Sequence, residues 1–196
     1  MKNKVYYSRK GNGTIFRPYL DVNFLHINGQ QGGSQRCLID TGADSFLLPY
    51  TLGKYMGLTY KTAELLSGPT AEGVGGAINT LKRTVKLVVE HKHSGKNHTK
   101  EVEVSWLVPT EEEEAKKEKL KQTFKAIERQ YNEYPEKRKQ DLLKEVERKK
   151  KEYQEFAAKF EQEPLIGREF MKNFTYLTFI HEEDDFQSYF EYQFRP

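Results

Sequence analysis

The chain has 196 residues, 36% hydrophobic and 31% charged, with a net charge of +3 and a sequence pI of about 8.7. That length suits one domain, or one domain with an appendage, and so mild a positive excess gives no case for nucleic acid or an anionic membrane as partner. The single cysteine, Cys37, excludes an intrachain disulfide framework and fits a reducing compartment.

Residues 1–109 read as β-rich. VYYSR and TIFRPYL flank the turn signal KGNG, which predicts a hairpin. In YLDVNFLHI, Tyr19, Asp21 and Asn23 alternate with Leu20, Val22 and Phe24, so a strand with the second set on its buried face is expected. NGQQGGSQ reads as a loop and RCLIDTG as the next strand. PYTLGKYMGL predicts one short helix closed by Gly57. TAEGVGGAIN reads as a glycine-rich loop, and TLKRTVKLVVEH and TKEVEVSWLV alternate as the arms of a hairpin turning at SGKN.

At Thr110 the composition changes. Over residues 111–163 more than half of the side chains are charged, acids and bases are about equal in number, and glycine is absent. Apolar residues recur at Leu120, Phe124, Ile127 and Tyr131, then at Leu142, Val146, Tyr153, Phe156 and Phe160. Each set makes one stripe on a helix. NEYP interrupts the pattern between them, and Pro135 suits the first turn of a second helix. An antiparallel helical hairpin is expected, its charges forming a solvated face. After Pro164, LIGREFMKN reads as a strand end, a glycine and a short helix, and FTYLTFIH and FQSYFEYQF as a final hairpin about EEDD. The expected domains are therefore residues 1–110 with 164–196, and an inserted hairpin over 111–163.

Chemistry concentrates in RCLIDTGADSFLLP, where Asp40 and Asp44 interrupt an apolar run. An unpaired buried carboxylate costs several kcal/mol, so packing alone does not account for one there. Asp40-Thr41-Gly42 follows Leu38-Ile39 and precedes Ala43 and Asp44. The stretch resembles the active-site loop of retropepsin-like aspartic proteases. EGVGGAI, residues 72–78, resembles that family's glycine-rich flap, and Leu165-Ile166-Gly167-Arg168-Glu169-Phe170 resembles the signature that opens its C-terminal helix. TLGKYMGL follows the active-site strand as in the cellular, bacterial-type members. The likeness spans everything except the charged hairpin.

It implies a mainly β fold, a closed β-barrel of acid-protease type with one short C-terminal helix, and an aspartic endopeptidase acting on protein or peptide substrates. Two carboxylates a few ångström apart cannot both ionise easily and share one proton. The ionised member draws a proton from water, and the protonated member donates to the scissile carbonyl. Asp40 is the candidate catalytic residue. Gly42 lets the backbone approach the carboxylates, with its N–H free to donate to Asp40; by resemblance Thr41 grips across the two loops. No second D-T-G or D-S-G occurs, so the other carboxylate must come from a second copy, and a homodimer is expected.

The resemblance also pairs Asp44 with Arg168, as a strut with a share in substrate binding beside Ala43. It makes Gly73, Val74, Gly75 and Gly76 the flap, and sets Leu165 and Ile166 along the cleft. The helical insertion enters just before that segment and is expected to select or gate substrate. No metal or organic cofactor is called for: His91, His93 and His98 flank a turn without acid or Cys spacing to complete a ligand set. Cys37 reads as a packing residue. MKNKVYYSRKGNG lacks the apolar stretch of a signal peptide and no run spans a membrane, so a cytoplasmic location is expected. The competing expectation is a peptide-binding or scaffold protein that keeps the fold without turnover, with the helical hairpin as its interaction element.

Overall fold

In the computed structural model, residues 2–9, 15–65, 70–73, 76–90, 97–131, 136–183 and 187–195 are described. In chain order the elements are β1 (Asn3–Tyr6), β2 (Ser8–Arg9), β3 (Phe16–Arg17), β4 (Tyr19–Leu25), β5 (Gln31–Ile39), β6 (Leu47–Leu48), α1 (Tyr50–Tyr55), α2 (Thr62–Leu65), β7 (Thr70–Gly73), β8 (Gly76–Glu90) and β9 (Asn97–Leu107). Then come α3 (Glu111–Tyr131), α4 (Glu136–Phe160), β10 (Leu165–Ile166), α5 (Arg168–Met171), β11 (Phe174–Ile180) and β12 (Tyr189–Phe194). The chain divides into two compact units: Met1–Thr59 with Leu81–Trp106 and Glu163–Pro196, and Tyr60–Thr80 with Leu107–Gln162.

The first unit is mainly β. Its strands are ordered β4-β5-β10-β6-β9-β8, and β4 pairs again with β8 through Asn23 with Val88 and Phe24 with Leu87, joining the two ends of the order. Val22, Phe46, Leu48, Leu87, Val104 and Trp106 are fully buried in its core. Each large apolar side chain so placed contributes ~1.5–3 kcal/mol relative to exposure. A second sheet, β1-β12-β11, carries an aromatic cluster in which Phe174 and Phe194 stack at 4.5 Å and Phe170 meets Phe174 edge-on at 5.7 Å.

Helix α1 ends as expected: Gly57 has φ +87°, the left-handed region that a Cβ disfavours, and its N–H donates to the Lys54 carbonyl. Gly53 inside the helix has its own reason. A Cβ there would lie 2.2 Å from Trp106 Nε1, and the indole stacks on Tyr50 and donates to its carbonyl.

Three expectations need correction. Residues 31–35, read as loop, belong to β5: Gln31, Ser34 and Gln35 face Leu25, Asn23 and Val22 of β4. A glycine is needed at 32, where a Cβ would sit 2.3 Å from the Phe24 carbonyl oxygen. Pairing with β4, not side-chain preference, extends the strand. Second, β4 is not buried on one face only, since Tyr19 and Asn23 are buried along with Leu20, Val22 and Phe24. Third, most of TAEGVGGAIN is paired strand, Thr70 facing Asn79 and Gly73 facing Gly76.

In the second unit α3 starts with a capping box. The Glu113 carboxylate accepts from the Thr110 N–H at 2.8 Å, and the Thr110 hydroxyl accepts from the Glu113 N–H at 3.2 Å. The helices meet in opposite directions: Glu113 bonds Lys159 at 2.7 Å, Lys117 bonds Glu161 at 2.6 Å, and Phe124 meets Tyr153 edge-on at 6.5 Å. Leu120, Ile127 and Phe160 of the apolar stripes are buried. The linking residues 132–135, with Pro135, lie outside the described residues. Helix α2 had no sequence signal of its own.

Candidate active site

The Asp40 loop owes its position to a strand from far along the chain. β10 lies between the two strands that the loop connects. Leu165 and Ile166 run parallel to Leu38 and Ile39 of β5, and Leu165 pairs antiparallel with Leu47 of β6. The Asp40 N–H donates to the Ile166 carbonyl at 3.0 Å and the Leu38 N–H to the Pro164 carbonyl at 2.9 Å. Loop residues 40–46 therefore have to arch over the end of β10. Leu38 and Ile39 are buried, Asp40 is half-buried, and Thr41 and Gly42 are exposed.

Gly42 closes a tight turn on the carboxylate, its N–H donating to Asp40 Oδ1 at 2.8 Å. A Cβ at Gly42 would stand 3.2 Å from that oxygen, closer than side chains ordinarily come. The Ala43 N–H reaches back to the Asp40 carbonyl at 3.3 Å. Asp40 is thus tolerated at the end of an apolar strand by partial exposure and a main-chain donor.

The other half of the loop is tied to α5. The Arg168 N–H donates to the Ala43 carbonyl at 2.8 Å and the Glu169 N–H to the Asp44 carbonyl at 2.9 Å. These bonds satisfy two of the donors that the start of a helix leaves open. The Arg168 guanidinium donates to the Asp44 carboxylate, with 62% and 78% of the two side chains exposed. Gly167 makes the approach feasible: a Cβ there would lie 2.3 Å from the Ser45 oxygen and 2.8 Å from the Ala43 oxygen. Phe46, directly after the loop, is fully buried edge-on to Phe24 and Phe170.

The structure therefore brings residues 40–44 together with Leu165, Ile166 and Arg168. Ile166 is wholly buried in the middle of the sheet and packs in the core of this chain; Leu165 is half-buried. Gly73 and Gly76 face each other where β7 turns into β8, in the other compact unit, and Val74 and Gly75 lie outside the described residues.

Sequence reading missed Lys82 of β8. Its ammonium lies 3.4 Å from Ser45 Oγ, 3.1 Å from Glu103 and 3.6 Å from Glu169. One lysine in an alternating strand gives no signal of such a role.

Cys37 is fully buried, and burial, reinforced by the negative Asp21 and Glu163, pushes its thiol well above the usual range. Burial and Asp21 push the Tyr192 hydroxyl up to about 12. Neither group is poised for acid–base work near neutrality. Among the described residues no cluster of three or more His, Cys, Asp or Glu could hold a metal ion, and no helix is long and apolar enough to cross a membrane. His91 and His93 lie outside the described residues.

No family model and no curated protein matches the chain. Among solved structures, EIAV protease complexed with the inhibitor HBY-793 aligns with 52% of this chain and 84% of its own, at 22% identity and a TM-score of 0.27.

Proposed function

We propose that the chain is an aspartic-type endopeptidase that works as a homodimer, with one Asp40 from each copy forming the catalytic pair. The observation that carries this reading is the Asp40 loop itself. A carboxylate at the end of a buried strand accepts the N–H of Gly42 at 2.8 Å, and the residues beyond it, Thr41 and Gly42, are exposed. A single D-T-G in the whole sequence requires a second copy to complete a two-carboxylate site.

In such a pair one proton is shared, and the apparent pKa values belong to the pair. The ionised Asp40 takes a proton from water as the water attacks the scissile carbonyl. The protonated Asp40 donates to the carbonyl oxygen, giving a tetrahedral diol. Proton return to the amide nitrogen then releases the two peptide products. The Gly42 N–H holds the carboxylate in place through the cycle. Asp44 and Arg168 brace the loop, and Ala43 and Asp44 lie beside the catalytic carboxylate to meet an extended peptide. The flap role is assigned to residues 73–76 on the likeness of EGVGGAI to the family's glycine-rich flap. The reaction needs no metal or organic cofactor.

The test is to incubate wild type and Asp40→Asn with a diverse peptide mixture across about pH 4 to 8 and identify new termini by mass spectrometry. Wild type is expected to cleave and Asp40→Asn to lose cleavage while keeping its sedimentation behaviour. Equal cleavage by the two, no cleavage by wild type, or an active species that sediments as a monomer would overturn the proposal.

A further inference from the structure

Lys82 and Lys86 lie on the same strand, and both face acids of β9. Lys86 makes one cross-strand pair, with Glu101 at 3.2 Å. Such a pair is an ordinary feature of an exposed sheet face. Lys82 differs in reaching two further elements. Besides Glu103 it contacts Glu169 of α5 and the hydroxyl of Ser45, the residue after the D-T-G-A-D run.

Those contacts converge on a segment already held from one side. Residues 43 and 44 are tied by main-chain bonds to Arg168 and Glu169, and by the Asp44–Arg168 pair. Nothing in that set reaches the Ser45 side chain. Lys82 does, and through Glu169 it also holds the helix turn that donates to Asp44. The ammonium donates to the Ser45 hydroxyl and lies within ion-pair distance of Glu103 of β9 and Glu169 of α5, so one positive charge faces the loop, the helix and the neighbouring strand. The Lys82 side chain is 37% exposed, and its contacts join elements distant in sequence, so it is placed to fix one part of this unit against another.

We propose that Lys82 is a positioning residue for the Asp40 loop: it joins Ser45, Glu169 and Glu103 so that the limb leading away from Asp40 keeps one position. It touches no substrate and acts through the loop. Its consequence for catalysis rests on the proposed peptidase reading, whereas its consequence for the loop does not.

The experiment compares wild type, Lys82→Met, Lys82→Arg and Lys86→Met. Amide hydrogen exchange at residues 43–45 and 168–169 is read first. Exchange there is expected to rise about three- to tenfold in Lys82→Met, to return toward wild type in Lys82→Arg, and to stay unchanged in Lys86→Met. Amides of β5 serve as the internal reference. Unchanged exchange in Lys82→Met, or an equal rise in Lys86→Met, overturns the proposal. Glu169→Gln removes a single arm and is expected to raise exchange less than Lys82→Met does; a larger rise would place the determinant in Glu169 instead. On the peptides that wild type cleaves, kcat of Lys82→Met is expected to fall about three- to tenfold with KM nearly unchanged, and Lys82→Arg to recover most of it. A change confined to KM would make Lys82 a substrate-binding residue and overturn the assignment. If wild type cleaves nothing, the peptidase reading fails by itself, and the exchange measurement still decides the role of Lys82.

Discussion

Replacing Gly167 by alanine tests how the Asp40 loop is held. Gly167 has extended φ and ψ of −89° and −178°, so any residue can adopt its backbone. The constraint is space. A Cβ would lie 2.3 Å from the Ser45 oxygen, 2.7 Å from the Ser45 carbonyl carbon and 2.8 Å from the Ala43 oxygen, where ordinary contact begins at 3.4 Å. The obstructing atoms are backbone, so no side chain can swing aside. Residues 43–45 must move about 1 Å from α5, and such overpacking costs ~1–3 kcal/mol. Relief requires giving up at least one of the two main-chain bonds from Arg168 and Glu169, 2.8 and 2.9 Å long. Each is worth ~1 kcal/mol net, so the total is about 2–4 kcal/mol. Trp106, the one tryptophan, is fully buried in the same unit and reports its unfolding by fluorescence. Gly167→Ala is expected to lower the urea midpoint by about 1–2 M for an m-value of ~2 kcal/mol/M. Gly33→Ala is the control, because a Cβ there meets only the end of Gln35 at 4.0 Å. A Gly167→Ala midpoint within about 0.3 M of wild type would refute the packing argument. On the proposed reading, a 1 Å shift of the limb next to Asp40 would also cut kcat by about 100-fold.

Gly53→Ala should destabilise the same unit by ~1–3 kcal/mol, because a Cβ would fall within 2.6 Å of three atoms of the buried Trp106 ring; the tryptophan emission maximum should shift even before unfolding, and an unchanged spectrum would contradict the contact. Cys37 should resist thiol reagents at about pH 8 until the protein unfolds, since burial removes access and raises the thiol; prompt native-state labelling would count against it. Glu113 should make the helical unit acid-labile. Burial works against its charge, but donors from Lys159 and Thr110 outweigh it and hold the carboxyl below its ordinary 4.5. A depressed carboxyl stabilises above the unfolded value and loses that contribution as pH falls through the folded one, so helix ellipticity should drop below about pH 4.5, and Glu113→Gln should shrink the acid-dependent part. An acid profile identical in Glu113→Gln and wild type would remove Glu113 from the account.

What the sequence made legible was local. The D-T-G turn, the stop at Gly57 and the two apolar stripes each depend on residues within a few positions of one another, where spacing maps onto geometry. The Gly42 N–H on Asp40 follows from the same closeness. What it left unread came from partners distant in the chain. QGGSQ carries no strand preference and becomes strand because β4 pairs with it. Gly53 reads as a poor helix residue until Trp106 is seen against it, and Gly167 reads as a motif letter until the Ser45 backbone is found in its way. Lys82 is the extreme case, since its meaning lies wholly in three side chains from three other elements.

The loop is held asymmetrically, and the asymmetry bears on how one copy would serve as half of a site. Residues 43–45 are fixed by Gly167, by two main-chain bonds and by Asp44–Arg168. Residues 41 and 42 are exposed, and the Gly42 bond to Asp40 is internal to the turn. Exposed ion pairs contribute little to stability, typically ~0–1 kcal/mol. The Asp44–Arg168 pair, with 78% and 62% of its side chains exposed, therefore does little to hold the isolated fold together. On the proposed reading its effect is geometric: the single contact from the guanidinium to Asp44 adds a side-chain tie beside the two main-chain bonds that join the limb to α5. A limb anchored at residues 43–45 can present residues 40–42 outward without being carried away by them. On the proposed reading that is what a half-site requires, because the Asp40 carboxylate must be placed by its own chain before a second copy supplies the other.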